Sequence, residues 1–175
     1  MKFFIFAFSI LFFANCENKI EPSIISDTQK IFPSQESWNS EITILDSQTV
    51  RAKINAKYIA TFNESRETIL DSGIIANIYN SKGNLTTKLT SQKGKIFENT
   101  KNLEASGNVF IVSENGTNVK TETIFWDNVK QKILSNTYVE VKSKTEFLRG
   151  YGFESDENLE NYIVYKVSGS TIREK

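Results

Sequence analysis

The side chains that could support chemistry in this sequence are mainly acidic. Glu98, Asp127, Asp156 and Glu157 are of the type that supplies the paired carboxylates of a glycosidase or the oxygen ligands of calcium. All lie in predicted loops beside Lys and Asn, where a solvated acid is the common situation. The sequence contains no His, the usual general base near neutral pH and a frequent metal ligand. These residues therefore indicate no enzymatic activity, no metal site and no cofactor.

The single cysteine, Cys16, lies where an apolar N-terminal stretch ends. That stretch follows Lys2 and runs from Phe3 to Ala14, which is too short for a bilayer core that requires about twenty helical residues. Residues 1–15 are therefore predicted to be a signal peptide. Because the cysteine follows directly, the segment resembles a bacterial lipoprotein signal, in which Cys16 carries the lipid anchor. An ordinary secretory signal with an incidental cysteine is the alternative.

Charge and composition limit the remaining classes. The 21 basic and 21 acidic residues balance, so no net charge attracts nucleic acid over long range. A length of 175 residues suits one domain with its own core. Both prolines lie within residues 16–37, which lack sustained periodicity and are predicted to be a flexible tether. The folded domain is predicted to span residues 38–175.

The dominant pattern in that domain is an alternation of apolar and polar residues. In "VRAKINAKYIATF" (50–62) the apolar residues fall on one face, which predicts a long half-buried strand. Similar runs, separated by turn-forming clusters, predict strands at 74–79, 85–89, 103–112, 118–126, 133–142, 145–153 and 162–171. Many short strands indicate an all-β sandwich, jelly roll or barrel. No helix is predicted beyond the signal peptide, although 128–134 suits either one helical turn or a polar hairpin loop.

A repeated spacing of small and apolar residues runs through three of these strands. It reads Ile54-x-Ala56-x-x-Ile59, Leu89-x-Ser91-x-x-Gly94-x-Ile96 and Val119-x-Thr121-x-x-Ile124-x-Trp126. A step of three residues moves a side chain to the opposite face of a regular strand. Each repeat therefore predicts a bulge or corner at which the sheet bends. Gly150 and Gly152 predict either another bend or a close approach of the backbone.

The order of these motifs resembles the LptC family and the OstA-like β-domains of lipopolysaccharide export. The match rests on Gly107-Asn108-Val109, a Gly turn, Val119-x-Thr121 and Trp126-Asp127, and extends from about Trp38 to Thr171. The resemblance implies a single twisted β-jelly roll, an open sandwich, at the periplasmic face of the inner membrane. It further implies that the domain accepts lipopolysaccharide from an inner-membrane ABC transporter and passes it to a periplasmic OstA-like bridge protein. Better-known members carry a transmembrane helix where this chain has a predicted lipid anchor.

The resemblance also assigns roles to particular residues. The predicted groove for the acyl chains of lipid A is lined by inward-facing residues, namely Ile54, Ala56, Ile74, Ala76, Ile78, Leu89, Val109, Ile111, Val119, Trp126, Val139 and Val141. The bridge protein is expected at an edge strand that includes Tyr162, Val164, Lys166 and Ser168, and the transporter near 38–45. An arginine at position 109 or 139 is expected to block lipid binding while the fold survives.

Other interpretations of the same pattern remain open. The groove residues also suit an ordinary closed core. In that case the chain would be a structural or adhesive β-sandwich surface lipoprotein without lipid cargo. A bridge protein of the same export system would share the fold, but such proteins are usually soluble.

Overall fold

The structure, a computed structural model, describes residues 32–172 and contains eleven strands in one antiparallel sheet. The predicted signal peptide, Cys16 and most of the predicted tether lie outside the described residues. None of the described residues forms a helix that is long and apolar enough to cross a membrane. The strands are β1 (Gln35–Asp46), β2 (Thr49–Phe62), β3 (Glu67–Tyr79), β4 (Leu85–Ser91), β5 (Lys93–Phe97), β6 (Asn102–Ser113), β7 (Asn118–Asp127), β8 (Lys132–Lys142), β9 (Glu146–Ser155), β10 (Tyr162–Val164) and β11 (Gly169–Ile172).

The folded domain begins earlier than the sequence predicts. Strand β1 starts at Gln35, which pairs with Thr61 of β2, so 35–37 belong to the sheet rather than to the tether. The Glu36 carboxylate accepts a hydrogen bond from the Tyr58 hydroxyl. The sequence signal was weak because 35–40 are mostly polar, and a long pairing with β2 holds them in place.

The strands follow the order β1-β2-β3-β4-β6-β7-β8-β9-β10, with β5 between β3 and β6 and β11 beside β9. Most long strands are irregular near their middle. The register shifts between Ala56 and Tyr58 in β2, between Ser106 and Val109 in β6, and between Thr121 and Phe125 in β7. The predicted bends of the first and third repeats are therefore confirmed. In the second repeat the strand is interrupted at Gln92, which separates β4 from β5.

These irregularities divide the sheet into two parts that we call layer A and layer B. Two contacts show that the layers face each other. Gly94 of layer B lies against Ile74 of layer A. Tyr162 pairs with Ser155 at the layer B end of β9, and its hydroxyl donates a hydrogen bond to Glu146 at the layer A end of β9. Layer A contains 40–46, 49–56, 74–79, 85–91, 109–113, 118–121, 138–142, 146–150 and 169–172, and layer B contains 35–38, 58–62, 67–71, 93–97, 102–106, 123–127, 132–135, 153–155 and 162–164.

The core lies between the layers in two clusters. The N-terminal cluster contains Ile54, Ala56, Ile59, Leu70, Ile74 and Ala76. The C-terminal cluster contains Ala105, Val109, Ile111, Val119, Ile124, Ile133, Val139, Val141, Phe153 and Leu159. Leu89 packs against both clusters, so the apolar interior is continuous from one half of the domain to the other.

Most predicted strands are present, and the differences have local causes. The sequence predicted neither β1 nor β5, and it placed the start of β3 at Ile74 instead of Glu67. In β5, "KGKIF" has two lysines and a glycine, and only pairing with β3 and β6 orders it. The sequence predicted one continuous final strand at 162–171, and this was wrong. The structure has two short strands there, β10 and β11, separated by an exposed connection at 165–168. The stretch 128–131 forms the turn of a hairpin.

Gly150 permits a close approach of the backbone, which is one of the two alternatives that the sequence left open. A Cβ atom there would lie 2.5 Å from the Tyr165 carbonyl oxygen and 2.7 Å from Val164 Cγ1. We expect Gly150→Ala to displace the connection between β10 and β11 and to lower Tm by about 3–10 °C, as overpacking usually does in a domain of this size. Gly169→Ala is the control, because a Cβ at Gly169 meets no atom within 4 Å. Thermal unfolding of both variants tests this, and equal Tm values would contradict it.

Candidate functional site

The predicted groove residues all face the space between the layers, but they differ in how tightly they are packed. Val109, Ile111, Val119, Val139 and Val141 are at most 1% exposed and form the closed centre of the C-terminal cluster. The buried residues Ile54, Ala56, Ile74 and Ala76 belong to the N-terminal cluster, whereas Ile78, Leu89 and Trp126 are half-buried. The groove role of these residues stays a prediction, and in the C-terminal half their present arrangement is that of a packed core.

The space between the layers opens at the β1 edge of the sheet. A cavity of about 330 Å³ lies there, and its lining residues are Gln35, Ser37, Ser40, Glu41, Ile42, Ile59, Thr61 and Thr68. Ile42 and Ile44 of β1 are only half-buried, although they pack on the N-terminal cluster. The sequence prediction missed Ile42 and Ile59. Alternation in "EITIL" (41–45) was the available signal for Ile42, but one short run did not distinguish an edge strand from a loop.

The free ends of the two layers, which are the strand ends that lie farthest from the bends, are bridged by the connection between β9 and β10. We call residues 156–161 the plug loop. It leaves layer B after Ser155 and reaches the ends of strands in layer A. Arg51 Nη2 donates to both carboxylate oxygens of Glu157, at 2.8 and 3.1 Å, and Thr87 Oγ1 donates to the Glu157 carbonyl oxygen at 3.3 Å. Asn115 Nδ2 lies 3.4 Å from the carbonyl oxygens of Asn158 and Leu159. The plug loop therefore ties the layers together.

Leu159 is the apolar centre of the plug loop. Its side chain is fully buried and belongs to the C-terminal core cluster. Its φ of 56° lies in the left-handed region, which residues other than glycine rarely adopt. Burial of the leucine side chain compensates for this backbone strain. The sequence prediction treated this stretch only as a turn, because a single leucine among acids and amides carries no periodic signal.

Asp156 organises the turn from which Leu159 projects. Its carboxylate accepts hydrogen bonds from the backbone N–H groups of Glu160 and Asn161, at 2.9 and 3.0 Å, and from Asn161 Nδ2 at 2.8 Å. Partial burial by itself raises the pKa of this carboxyl. The hydrogen bonds from Asn161 and from the neighbouring backbone outweigh burial and hold the pKa of Asp156 below its ordinary value. The carboxylate is thus charged whenever the pH is near neutral.

A second and more polar cavity, of about 520 Å³, lies beside the plug loop. Its lining residues are Asn115, Thr117, Lys132, Ser143, Thr145, Glu146, Glu154, Leu159, Glu160, Asn161, Tyr162 and Ile163. Tyr162 Oη donates to Glu146 Oε1 at 2.6 Å. Burial, and next the hydrogen bond to Glu146, raise the pKa of Tyr162, so its hydroxyl keeps the proton that it donates. This contact is a second link between the layers.

The other acidic residues of interest have structural partners. The Asp127 carboxylate accepts from the backbone N–H groups of Lys130 and Val129 in a tight turn, and the first of these bonds is the largest cause of its lowered pKa. Glu98 accepts from Thr68 Oγ1 at 3.0 Å. Within residues 32–172, no three His, Cys, Asp or Glu side chains are arranged to hold a metal ion. The contacts of these acids are those of turns and ion pairs.

The two edges of the sheet differ. At one edge β1 is long and exposes Trp38 and Leu45, and the Trp38 ring lies 5.8 Å from that of Tyr58. At the other edge, Tyr162 and Val164 lie in β10. Lys166 and Ser168 lie in the exposed connection that follows, where the Ser168 N–H donates to the Arg149 carbonyl oxygen at 2.8 Å. The predicted partner residues therefore share one edge, but they do not form one continuous strand.

Comparison with known proteins identifies the family to which this chain belongs. A model described as lipopolysaccharide-assembly, LptC-related, matches residues 4–169. The chain belongs to the LptC family. Its fold is similar to the crystal structure of LptH, the LptA-homologous periplasmic component of the lipopolysaccharide transport device of Pseudomonas aeruginosa. That similarity has a TM-score of 0.55 at 10% identity and covers 71% of this chain and 94% of LptH. No curated protein matches significantly.

Membership of the LptC family confirms several predictions. The domain is an all-β twisted jelly roll of the LptA-like type, and the resemblance noted in the motif order is confirmed. LptC proteins take part in lipopolysaccharide transport in the periplasm, and theirs is a family of transport components rather than of enzymes. The half-closed interior described above is thus the interior of a transport protein.

Proposed function

We propose that this chain accepts lipopolysaccharide from an inner-membrane ABC transporter and passes it to a periplasmic OstA-like bridge protein. In this proposal the protein is held at the periplasmic face of the inner membrane by a lipid on Cys16. The observation that supports it best is the cavity at the β1 edge, whose otherwise polar lining includes Ile42 and Ile59, which connect it to the N-terminal cluster.

The chemistry of lipid A explains why such an interior is useful. Exposing an acyl chain to water costs about 0.8 kcal/mol per methylene group, so transit requires a continuous apolar path. The two core clusters, joined by Leu89, supply apolar side chains from one edge of the domain to the other. The energy for movement would come from ATP that the transporter hydrolyses, because this domain only has to shelter the acyl chains.

The two sheet edges suit two different partners. Strand β1 is twelve residues long and, among the strands that the structure describes, pairs only with β2, so it suits pairing with a strand of another protein. We assign the transporter to this edge. The bridge protein is assigned to the β10–β11 edge, at Tyr162, Val164, Lys166 and Ser168. If partner domains extend the sheet at both edges, their interiors align with the interior of this domain.

Photocrosslinking tests this proposal. A benzoylphenylalanine residue placed at Ile42 faces the cavity, whereas the same probe at Thr43 points outwards from the same strand. In membranes that contain the transporter and ATP, we expect position 42 to crosslink to lipopolysaccharide and position 43 to give only background. Equal labelling at both positions, or no labelling at either, would overturn the proposal.

A structural or adhesive surface lipoprotein is the second candidate. It is favoured by one observation, the tight packing of Val109, Val119, Val139 and Val141 in the C-terminal half. Native mass spectrometry of the membrane-extracted protein separates the two candidates. Co-purified lipopolysaccharide supports the carrier, and a protein without bound lipid supports the alternative.

A further inference from the structure

We infer that the plug loop is a built-in competitor of the lipid and that the position filled by Leu159 is a binding site for one acyl chain. This inference rests on the proposed carrier function. Leu159 is the one residue of the plug loop whose side chain enters the C-terminal cluster, and it enters from the free ends of the layers rather than from a strand. A leucine side chain and the end of an acyl chain have the same chemistry, so each can fill the space that the other leaves.

The contacts that hold the plug loop against layer A are weak enough to be broken and formed again. Outside the Leu159 side chain, the contacts with layer A are polar, and of the side chains that make them only that of Thr87 is fully buried. They are the Arg51–Glu157 ion pair, whose side chains are about one-third exposed, and hydrogen bonds of 3.3–3.4 Å from Thr87 and Asn115. Water can replace the partly exposed contacts of Arg51 and Asn115 when the loop moves away. The left-handed backbone of Leu159 is strained as long as the leucine stays buried.

The turn centred on Asp156 lets the plug loop move as a unit. The backbone N–H groups of Glu160 and Asn161 donate to the Asp156 carboxylate, and Ser155 Oγ donates to the Asn161 carbonyl oxygen. These bonds lie within the loop or at its root in layer B, so they survive when contacts with layer A are broken. With the loop away, the C-terminal cluster would lose its cover at the free ends of the layers. An acyl chain that enters from the β1 edge can then extend past Leu89 into the vacated position.

Two photocrosslinking probes in the full-length protein test this inference. One is at Ile42, in the open cavity, and the other replaces the half-buried Trp126, which packs on the C-terminal cluster. Each probe is combined with Leu159→Ala, which empties the site, or with Glu157→Gln, which weakens the attachment of the loop. The ligand is purified lipopolysaccharide in detergent micelles.

The control for Glu157→Gln is Glu67→Gln. The Glu67–Lys95 ion pair is similarly exposed, with an N–O distance of 3.4 Å, but both of its residues lie in layer B, so it does not join the layers. We expect Glu157→Gln to raise crosslinking at position 126 by about two- to fivefold, the factor by which a partly exposed ion pair shifts an equilibrium. Leu159→Ala should raise it further, and Glu67→Gln should leave it unchanged. Crosslinking at position 42 should stay the same throughout.

The outcomes separate this inference from the proposed function. Labelling at position 42 with no increase at 126 in either loop variant would overturn the acyl-chain site while the carrier function stands. The same conclusion would follow if position 126 were already labelled as strongly in the unmodified protein as in both variants. Absence of labelling at both positions in every variant would overturn the carrier function, and the inference would fall with it.

Discussion

Val139→Arg is expected to unfold the domain rather than to produce a folded protein with a blocked groove. Val139 is fully buried in the C-terminal cluster and pairs with Thr121 of β7 and Gly150 of β9. An uncompensated charge in such a position costs about 3–5 kcal/mol, and overpacking adds about 1–3 kcal/mol. The sum approaches the total stability of about 5–15 kcal/mol that a domain usually has. The burial of Val109 and Val139 therefore argues against the sequence-based expectation that the fold survives an arginine at either position.

The neighbouring residue supplies the control. Tyr138 lies on the outer surface of the same strand, is 39% exposed and lies close to Glu140. Tyr138→Arg should remain folded, with a change in the free energy of unfolding of at most about 1 kcal/mol. Circular dichroism and urea unfolding of both variants measure the difference. If Val139→Arg unfolded with the same midpoint as the unmodified protein, the C-terminal half would have to be a solvated groove and not a core.

Ile42→Arg is expected to abolish lipid transfer while the fold survives. Ile42 is half-buried beside the open cavity, so an arginine there can extend its guanidinium to water along the β1 edge. Stability should fall by only about 1–2 kcal/mol, as for the loss of a partly buried apolar contact. A guanidinium in the path of the acyl chains, however, should reduce the amount of lipopolysaccharide transferred by about tenfold or more, since 1.4 kcal/mol suffices for that factor.

Thr43→Arg is the matched control for Ile42→Arg. Thr43 is exposed on the outer face of β1 and pairs with Lys53. Transfer is measured as lipopolysaccharide that reaches the bridge protein from transporter-containing vesicles in the presence of ATP. Loss of transfer in both variants would point to a damaged β1 docking edge rather than to a blocked interior. Normal transfer in Ile42→Arg would show that lipid does not enter at this edge.

The local pattern of residues determined a large part of the fold. Alternation in 50–62 specified β2, and it specified the inward face as far as Ala56, because a strand places successive side chains on opposite sides. Beyond the register shift, Ile59 rather than Tyr58 lies in the core. The three-residue spacings that follow Ala56 and Thr121 predicted bulges. In a regular strand, two residues three positions apart point to opposite faces, so both can face the core only if the strand is irregular between them. The order of these short motifs was also enough for the family resemblance, which the family match confirms.

Only the tertiary structure decided which part of the interior is open. Val139 and Ile42 both lie at inward-facing positions of strands whose apolar and polar side chains alternate. Val139 is covered because layer B and Leu159 pack over the same cluster, whereas Ile42 lies on a strand that has one neighbour within residues 32–172. Burial of this kind depends on residues far apart in the chain, such as Arg51 and Glu157, whose pairing leaves no local signal. Sequence periodicity therefore determined which side chains face inwards, and long-range packing decided which of them a lipid can reach.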